Sequence, residues 1–266
     1  MRENSCSGCV MKKKKICWAS AGVSSFIAGL LAGDVDEWIY IDIADQHEDS
    51  YRFLEDCERF TGKKTTMLRA VQYRSVEDCF RAFGGFRNAR NGFHPCTNWL
   101  KTQVRLQWEE RQSADIDLTY VWGFDRKESH RAERMIAANP EAKHEFPLIE
   151  WNLSKQNAHA ILLDLGIRRP LMYDLGYPNN NCIGCCRGGI STWNLIRNDF
   201  PEIFERRARL ERELGFSMLK DRNGPVFLDE LSPERGASNI EIIPEYSIRC
   251  MAAEEEIFGK VEAACR

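Results

Sequence analysis

The sequence lacks any apolar run of about 20 residues, the length that a membrane-spanning helix needs. Its opening stretch, MRENSCSGCVMKKKK, has no apolar core of the kind that signal peptides contain. Internal repeats and low-complexity linkers are also missing. We therefore predict a cytosolic chain without a membrane partner, and its 266 residues, 43% of them hydrophobic, are enough to form a substantial core.

Several common site signatures are missing as well. The sequence has neither the GxxxxGK[ST] nor the GxGxxG phosphate loop, and its five histidines show no HExxH spacing. The formal charge of −3 gives no overall attraction to nucleic acid. The one dense basic run, Lys12 to Lys15, is interpreted as a solvated lead-in to a strand.

What the sequence does contain is an alternation of strand and helix patterns. Strands are predicted at 16–19, 38–43, 65–71 and 118–124, with helices after the first, second and fourth, the second ending near Gly62. Such alternation predicts a Rossmann-like α/β fold, with a mostly parallel sheet covered by helices on both faces. Ligands of these folds bind beyond the carboxyl ends of the strands.

The pattern changes near residue 145, so we predict two parts. Residues 1–145 would form a nucleotide-binding α/β domain, and 146–266 a C-terminal helical appendage packed on its sheet edge. In the second part Ser154 is a plausible N-cap, and Pro201 suits the first turn of a helix over 201–214. A cysteine loop at 182–186 lies between these two helices.

The segment SAGVSS, residues 20–25, joins the first strand to the first helix. Its small side chains would let main-chain N–H groups approach an anion, while the helix directs its positive end at the same point. The motif alone is compatible with a phosphate site or with a plain tight turn, and the residues by themselves leave both open.

Eleven cysteines, in a chain expected to stay in a reducing compartment, point to metal ligands, reactive groups or free thiols. Cys182 and Cys185 have the spacing that lets two thiolates reach one metal, and Cys96 and Cys250 are the leading candidates to complete the set. Four thiolates suit a [4Fe–4S] cluster or Zn²⁺. Cys6 and Cys9 form a rival pair near the N-terminus, whereas Cys17, Cys57 and Cys79 lie in apolar patterns typical of buried thiols.

Five motifs in order give a more specific signal. They are SAGVSS, the turn IDIADQHEDS after the second strand, PCTNWLK, GFDRKESHR and NNNCIGCC. Together they resemble the phosphoadenosine phosphosulfate (PAPS) reductase-like family of the pyrophosphate-loop (adenine nucleotide alpha hydrolase-like, HUP-type) superfamily. The chain departs from the family pattern at Ala21 and Ser24, which replace a glycine and an Asp or Thr.

The resemblance implies that ATP or a related adenylate lies across the sheet edge, with Mg²⁺ helping pyrophosphate to depart. It places phosphates or base and ribose near Ser20, Ala21, Gly22, Val23, Ser24, Ser25, Asp42, His47, Gly123 and Arg131. Lys101 and Arg126 would stabilise charge on the phosphates. It also favours iron–sulfur over zinc, and it leaves Cys250 as either a ligand or a displaced nucleophile, because Tyr246 stands where the family's tail cysteine is expected.

Three functions follow as alternatives. The first is an enzyme of sulfur-transfer or adenylation chemistry, with a nucleic acid or a sulfur-donor protein as its partner, which the arginines of RRARLER could face. The second is a nucleotide-binding module with a structural metal and no turnover. The third is a sulfonucleotide reductase that uses Cys250.

Overall fold

The computed structural model describes residues 11–236, 242–246 and 259. Five parallel strands form the central sheet in the order β3-β2-β1-β4-β5, and a short antiparallel pair, β6 and β7, lies apart from it. The strands are β1 (Lys12–Ala19), β2 (Glu37–Ile41), β3 (Thr65–Leu68), β4 (Ile116–Val121), β5 (Lys143–Glu145), β6 (Leu219–Asp221) and β7 (Gly224–Val226). The fold is α/β and fits a Rossmann-like architecture, as predicted.

Helices connect the strands and are the main regular structure in the described residues after β5. They are α1 (Val23–Ala32), α2 (Asp49–Thr61), α3 (Val76–Phe83), α4 (Pro95–Thr97), α5 (Gln103–Glu109), α6 (Ser129–Ala138), α7 (Pro147–Glu150), α8 (Lys155–Asp164), α9 (Leu171–Asp174), α10 (Ile190–Asp199) and α11 (Pro201–Leu214). A π-helical turn over Asn98–Thr102 joins α4 to α5, and 3₁₀ turns occur at Arg126–Glu128 and Leu228–Glu230. No helix in the described ranges is both long enough and apolar enough to cross a membrane.

The lysine run belongs to a strand and is not a lead-in to one. Lys12 to Lys15 pair with residues 116–119 of β4, so β1 starts four residues before its predicted beginning and β4 starts two residues before. Lys14 forms an ion pair with Glu37, and Lys15 forms one with Glu145. Two of the four charges are therefore paired with carboxylates of neighbouring strands, while Lys12 and Lys13 are exposed.

The other strand boundaries also differ from the prediction. β2 ends at Ile41, β3 at Leu68 and β4 at Val121, each two or three residues short of its predicted end. The edge strand β5 is absent from the prediction. It has only three residues, KHE, and none of them is apolar, so the sequence shows no hydrophobic periodicity there.

Local signals marked the helix ends well. α2 ends at Gly62, which has a left-handed φ of 68°. Ser154 caps α8 through a capping box with Asn157, and Pro201 occupies the first turn of α11.

The main hydrophobic core crosses the predicted boundary at residue 145. α7 and α8 pack on α1, and Leu148 and Ile161 lie in the same buried cluster as Phe26 and Ile27. The α/β part and the segment after it therefore share one apolar core. The division into an α/β domain over 1–145 and a helical appendage over 146–266 stays a prediction.

The strand order reverses at β1, whose neighbours are β2 on one side and β4 on the other. Connections that leave β1 and β4 at their carboxyl ends diverge there, which opens a crevice in folds of this kind. The loop 20–25 follows β1 and Gly123 follows β4. The predicted phosphate loop thus lies at the switch point of the sheet.

Candidate functional site

The loop between β1 and α1 is tightly organised by its own hydroxyl groups. The main-chain N–H of Ser20 donates to Ser25 Oγ at 3.0 Å, the two hydroxyls lie 3.1 Å apart, and Ser25 Oγ donates to the carbonyl of Gly22 at 2.9 Å. Ala21 adopts a left-handed φ of 52°, a conformation that costs a non-glycine residue about 1 kcal/mol or more. The segment is a fixed turn, and the first-turn N–H groups of α1 lack acceptors within the helix.

Gly123 lies directly against this turn. A Cβ built on Gly123 would be 2.6 Å from the main-chain nitrogen of Ser25 and 2.8 Å from the carbonyl carbon of Ser24. Only a glycine allows the end of β4 to approach the start of α1 so closely. The structure therefore brings two of the sequence-predicted segments together at the switch point.

Not every loop N–H is available to a ligand. The N–H of Val23 faces the hydroxyl of Tyr173, whose pKa is raised to about 12 by burial and lowered in part by this N–H. Among the residues assigned to the nucleotide, Ser20 is exposed and Ser24 half-buried, while Ala21, Gly22, Val23 and Ser25 are buried.

Two predicted ligand residues on the β2 side have protein partners. Asp42 is buried and accepts hydrogen bonds from Tyr51 at 2.7 Å and from Arg69. His47 accepts from the N–H of Asp49 through Nδ1 at 3.1 Å and meets Phe200 edge-on. Both side chains lie beyond the carboxyl end of β2, and their contact with a nucleotide stays a prediction.

A cavity of about 400 Å³ lies beyond the carboxyl ends of β2 and β4. Its charged lining residues are Lys101, Glu128, Arg131, Lys155 and Arg187, so four of the five are basic. Arg131 pairs with Glu128 and stacks over Phe124 at 4.4 Å. The cavity suits an anionic ligand.

Arg126 is placed differently. Its side chain donates to the carbonyl of Asn152 at 3.4 Å, and its main-chain N–H donates to Leu153 at 2.9 Å. It is not among the residues that line the cavity. A role for Arg126 on the phosphates stays a prediction without a geometric argument.

Four thiols line the same cavity: Cys96, Cys182, Cys185 and Cys186. Hydrogen bonding from the Cys186 thiol lowers the pKa of Cys185 to about 6, against the effect of burial, and the nearby Lys101 and Arg187 lower it further. Hydrogen bonding with Cys186 also lowers the pKa of Cys96, whereas burial raises that of Cys182 to about 12. The pKa values of the cavity thiols therefore differ in direction although the four side chains share one cavity.

The predicted metal set of Cys96, Cys182, Cys185 and Cys250 stays a prediction. Cys96, Cys182 and Cys185 share one cavity, while Cys250, and with it the rival pair Cys6 and Cys9, lies outside the described residues. Within residues 11–236 and 242–246, no three His, Cys, Asp or Glu side chains are arranged to hold a metal ion. The predicted core thiols Cys17, Cys57 and Cys79 are indeed buried.

Sequence reasoning missed Cys186 and His94 as site residues. His94 Nδ1 lies 2.9 Å from the carbonyl of Phe86 and 3.4 Å from Cys186 Sγ. A carbonyl only accepts, so Nδ1 carries the hydrogen and directs N–H toward both atoms. Burial lowers the pKa of His94, which favours the neutral ring. The sequence signal was present in HPC and CIGCC, but the contact joins residues 92 positions apart.

A buried ion pair supports the cysteine loop. Arg207, fully buried on α11, donates to Asp45 at 2.7 Å, to Glu77, and to the carbonyl of Gly184 at 3.4 Å. The carbonyl of Asp45 accepts the N–H of Ile183 at 2.7 Å. Both ends of the pair thus contact the backbone between Cys182 and Cys185.

The arginines of RRARLER therefore have acceptors inside the protein. Arg206 and Arg207 donate to Glu77, and Arg212 pairs with Asp229 and Glu230. The exposed Arg209 lies 3.8 Å from Glu205. A nucleic-acid partner stays a prediction, and this helix gives it no unpaired arginine cluster.

Comparison with protein-family models, with curated proteins and with solved structures finds no match to this chain. The resemblance to the PAPS reductase-like family thus depends on the motifs alone.

Proposed function

We propose that the chain binds ATP or a related adenine nucleotide at the switch point and uses it in sulfur-transfer or adenylation chemistry of the PAPS reductase-like kind. The observation that carries this proposal is the contact between the loop 20–25 and Gly123 beside a basic, thiol-lined cavity. A turn with left-handed Ala21 and a glycine packed against it suits close main-chain approach to phosphate.

Each charged group has a distinct role in this proposal. Lys101 lies close enough to the thiols to lower their pKa values, so it would stabilise an anion that passes between nucleotide and sulfur. Arg131, held by Glu128 and Phe124, would bind a phosphate as a positioned guanidinium. Mg²⁺ would accompany the pyrophosphate of ATP.

The four cavity thiols are the proposed sulfur centre. By number and donor type they suit a [4Fe–4S] cluster or zinc, but the described side chains are not arranged as a metal site, so binding would require the thiols to move together. Cys96, Cys182, Cys185 and Cys186 would hold the cluster, with Cys250 as the alternative fourth ligand. When bound, a cluster would supply iron and sulfide for sulfur or electron transfer.

Metal and turnover can be tested on one anaerobic preparation. Iron, zinc and acid-labile sulfide are measured in the full chain and in Cys185→Ala and Cys250→Ala, with Cys57→Ala as the control in a separate core. We expect iron with sulfide in the full chain and in Cys57→Ala, and its loss in Cys185→Ala. Pyrophosphate release from ATP, with candidate acceptors, then tests catalysis.

A nucleotide-binding module without turnover is the second candidate. The internal hydrogen bonds of the loop favour it, since the hydroxyl of Ser20 donates to Ser25 Oγ and that of Ser25 donates to the carbonyl of Gly22. ATP binding without pyrophosphate release, under every acceptor tried, would select this function over the enzyme.

A further inference from the structure

The strained residue of the phosphate loop is held from outside the loop. Ala21 is buried and keeps a left-handed φ of 52° although it is not a glycine. Its methyl group packs against Tyr40 and Leu54. A left-handed conformation costs a non-glycine residue about 1–3 kcal/mol, so it persists only where neighbouring groups hold the residue in place.

Asn180 is the residue that reaches the strained peptide. Its side-chain Nδ2 donates to the carbonyl of Ala21 at 2.7 Å and to Ser50 Oγ at 3.0 Å, so both amide hydrogens are used. Asn180 is 7% exposed and Ser50 is 1% exposed. The buried amide of Asn180 therefore joins the loop to the first turn of α2. Asn180 is 159 positions from Ala21 and 130 positions from Ser50 in the sequence.

Tyr173 lies beside this amide and the loop. A Cβ on Gly22 would lie 3.3 Å from its hydroxyl oxygen, so the loop passes close to the end of the ring. The main-chain N–H groups of Asn180 and Val23 face this buried hydroxyl and lower its pKa, against the larger effect of burial. The loop is thus hydrogen-bonded at Ala21 and packed against Tyr173 at Gly22.

We propose that Asn180 is a positioning residue for the phosphate loop. By holding the Ala21 carbonyl, it keeps the peptide between Ala21 and Gly22 in the orientation that presents the first turn of α1 to a phosphate. The inference deepens the proposed function and assumes that the loop binds ATP. An alanine at position 21 makes Asn180 necessary, because glycine would adopt the same φ without strain.

The test compares Asn180→Leu with the double variant Asn180→Leu/Ala21→Gly in the full chain. Calorimetry measures the affinity for ATP and for adenosine, which lacks phosphates. We expect Asn180→Leu to weaken ATP binding about ten-fold and to leave adenosine binding within two-fold. Ala21→Gly should restore most of the lost ATP affinity in the double variant.

Asn194→Leu is the matched control. Asn194 is equally buried and also donates Nδ2 to two acceptors, the carbonyls of Ser232 and Arg235, in another part of the molecule. We expect it to lower stability as Asn180→Leu does while ATP affinity stays unchanged. Equal loss of ATP and adenosine affinity in Asn180→Leu, or no recovery in the double variant, would overturn the positioning role.

Denaturant unfolding without nucleotide separates this inference from the proposed function. If Asn180 holds Ala21, Ala21→Gly raises the denaturant midpoint more in Asn180→Leu than in the unaltered chain. That result in a chain that binds no ATP would keep the positioning role and reject the nucleotide site. An equal effect of Ala21→Gly in the two backgrounds would reject the positioning role whatever the chain binds.

Discussion

The two loops of the candidate site are held by different chemistry. The loop 20–25 is fixed by neutral groups, chiefly the amide of Asn180 and the hydroxyl of Tyr173. The cysteine loop 182–186 is fixed by a buried charge pair, Arg207 with Asp45. Neutral hydrogen bonds contribute about 1 kcal/mol each, whereas breaking a buried ion pair leaves an uncompensated charge. The cysteine loop is therefore the more sensitive of the two loops to a single substitution.

The largest change in stability is expected for the buried ion pair that supports the cysteine loop. Arg207→Met leaves Asp45 and Glu77 without their buried partner, so we expect a loss of about 3–5 kcal/mol in the free energy of unfolding. Denaturant titration measures it. Arg209→Met, on the same helix but 72% exposed at its side chain, should change stability by no more than about 0.5 kcal/mol. Equal effects of the two variants would contradict the account of the cysteine loop.

The second prediction concerns the loop 20–25, whose support at Tyr173 should lose stability at acid pH. His159 packs edge-on against Tyr173 at 4.5 Å, has no hydrogen-bond partner at either ring nitrogen among the described residues, and burial lowers its pKa to about 3. The free energy of unfolding is therefore unaffected by His159 protonation above the unfolded pKa of about 6.5. It decreases as pH falls below that value, because the unfolded chain binds the proton more readily than the folded chain.

His159→Leu tests this directly. Relative to the unaltered chain, the variant should gain up to about 1.4 kcal/mol per pH unit below pH 6.5. Unfolding curves at several pH values measure the difference. A difference that does not vary between pH 7 and pH 4 would show that His159 does not titrate in this way.

The smallest change in stability is expected for the exposed ion pair between Arg69 and Asp42. Arg69→Met removes an ion pair to Asp42 whose arginine is largely exposed, and Asp42 keeps its hydrogen bond from Tyr51. We expect only a small loss of stability, which shrinks at high salt because the exposed pair is screened. A loss in the unfolding free energy as large as that of Arg207→Met would mean that this pair belongs to the core of the site.

Sequence reasoning reached the parts of the fold that local signals encode. The end of α2 at Gly62 and the capped start of α8 were readable because each depends on a few neighbouring residues. The length of β1 was not, since its lysines become strand residues only through pairing with β4. The motif order also placed the loop 20–25 at the carboxyl edge.

The support of the site was beyond the reach of the sequence. Asn180 reaches Ala21 across 159 positions, and His94 reaches Cys186 across 92. Arg207 lies in the predicted helix over 201–214, but nothing local indicated that its charge would be fully buried against Asp45. Contacts of this kind depend on the packing of distant elements, which periodicity does not record.

The central claim is that ATP binds where the loop 20–25 meets Gly123. Calorimetric titration of ATP into the full chain, Gly123→Ala and Gly189→Ala tests it most directly, because an added Cβ meets Ser25 at 2.5 Å in the first variant and open space in the second. The account predicts saturable binding that Gly123→Ala weakens at least ten-fold and Gly189→Ala preserves. Absence of ATP binding in the full chain, or equal affinity in all three proteins, would contradict it.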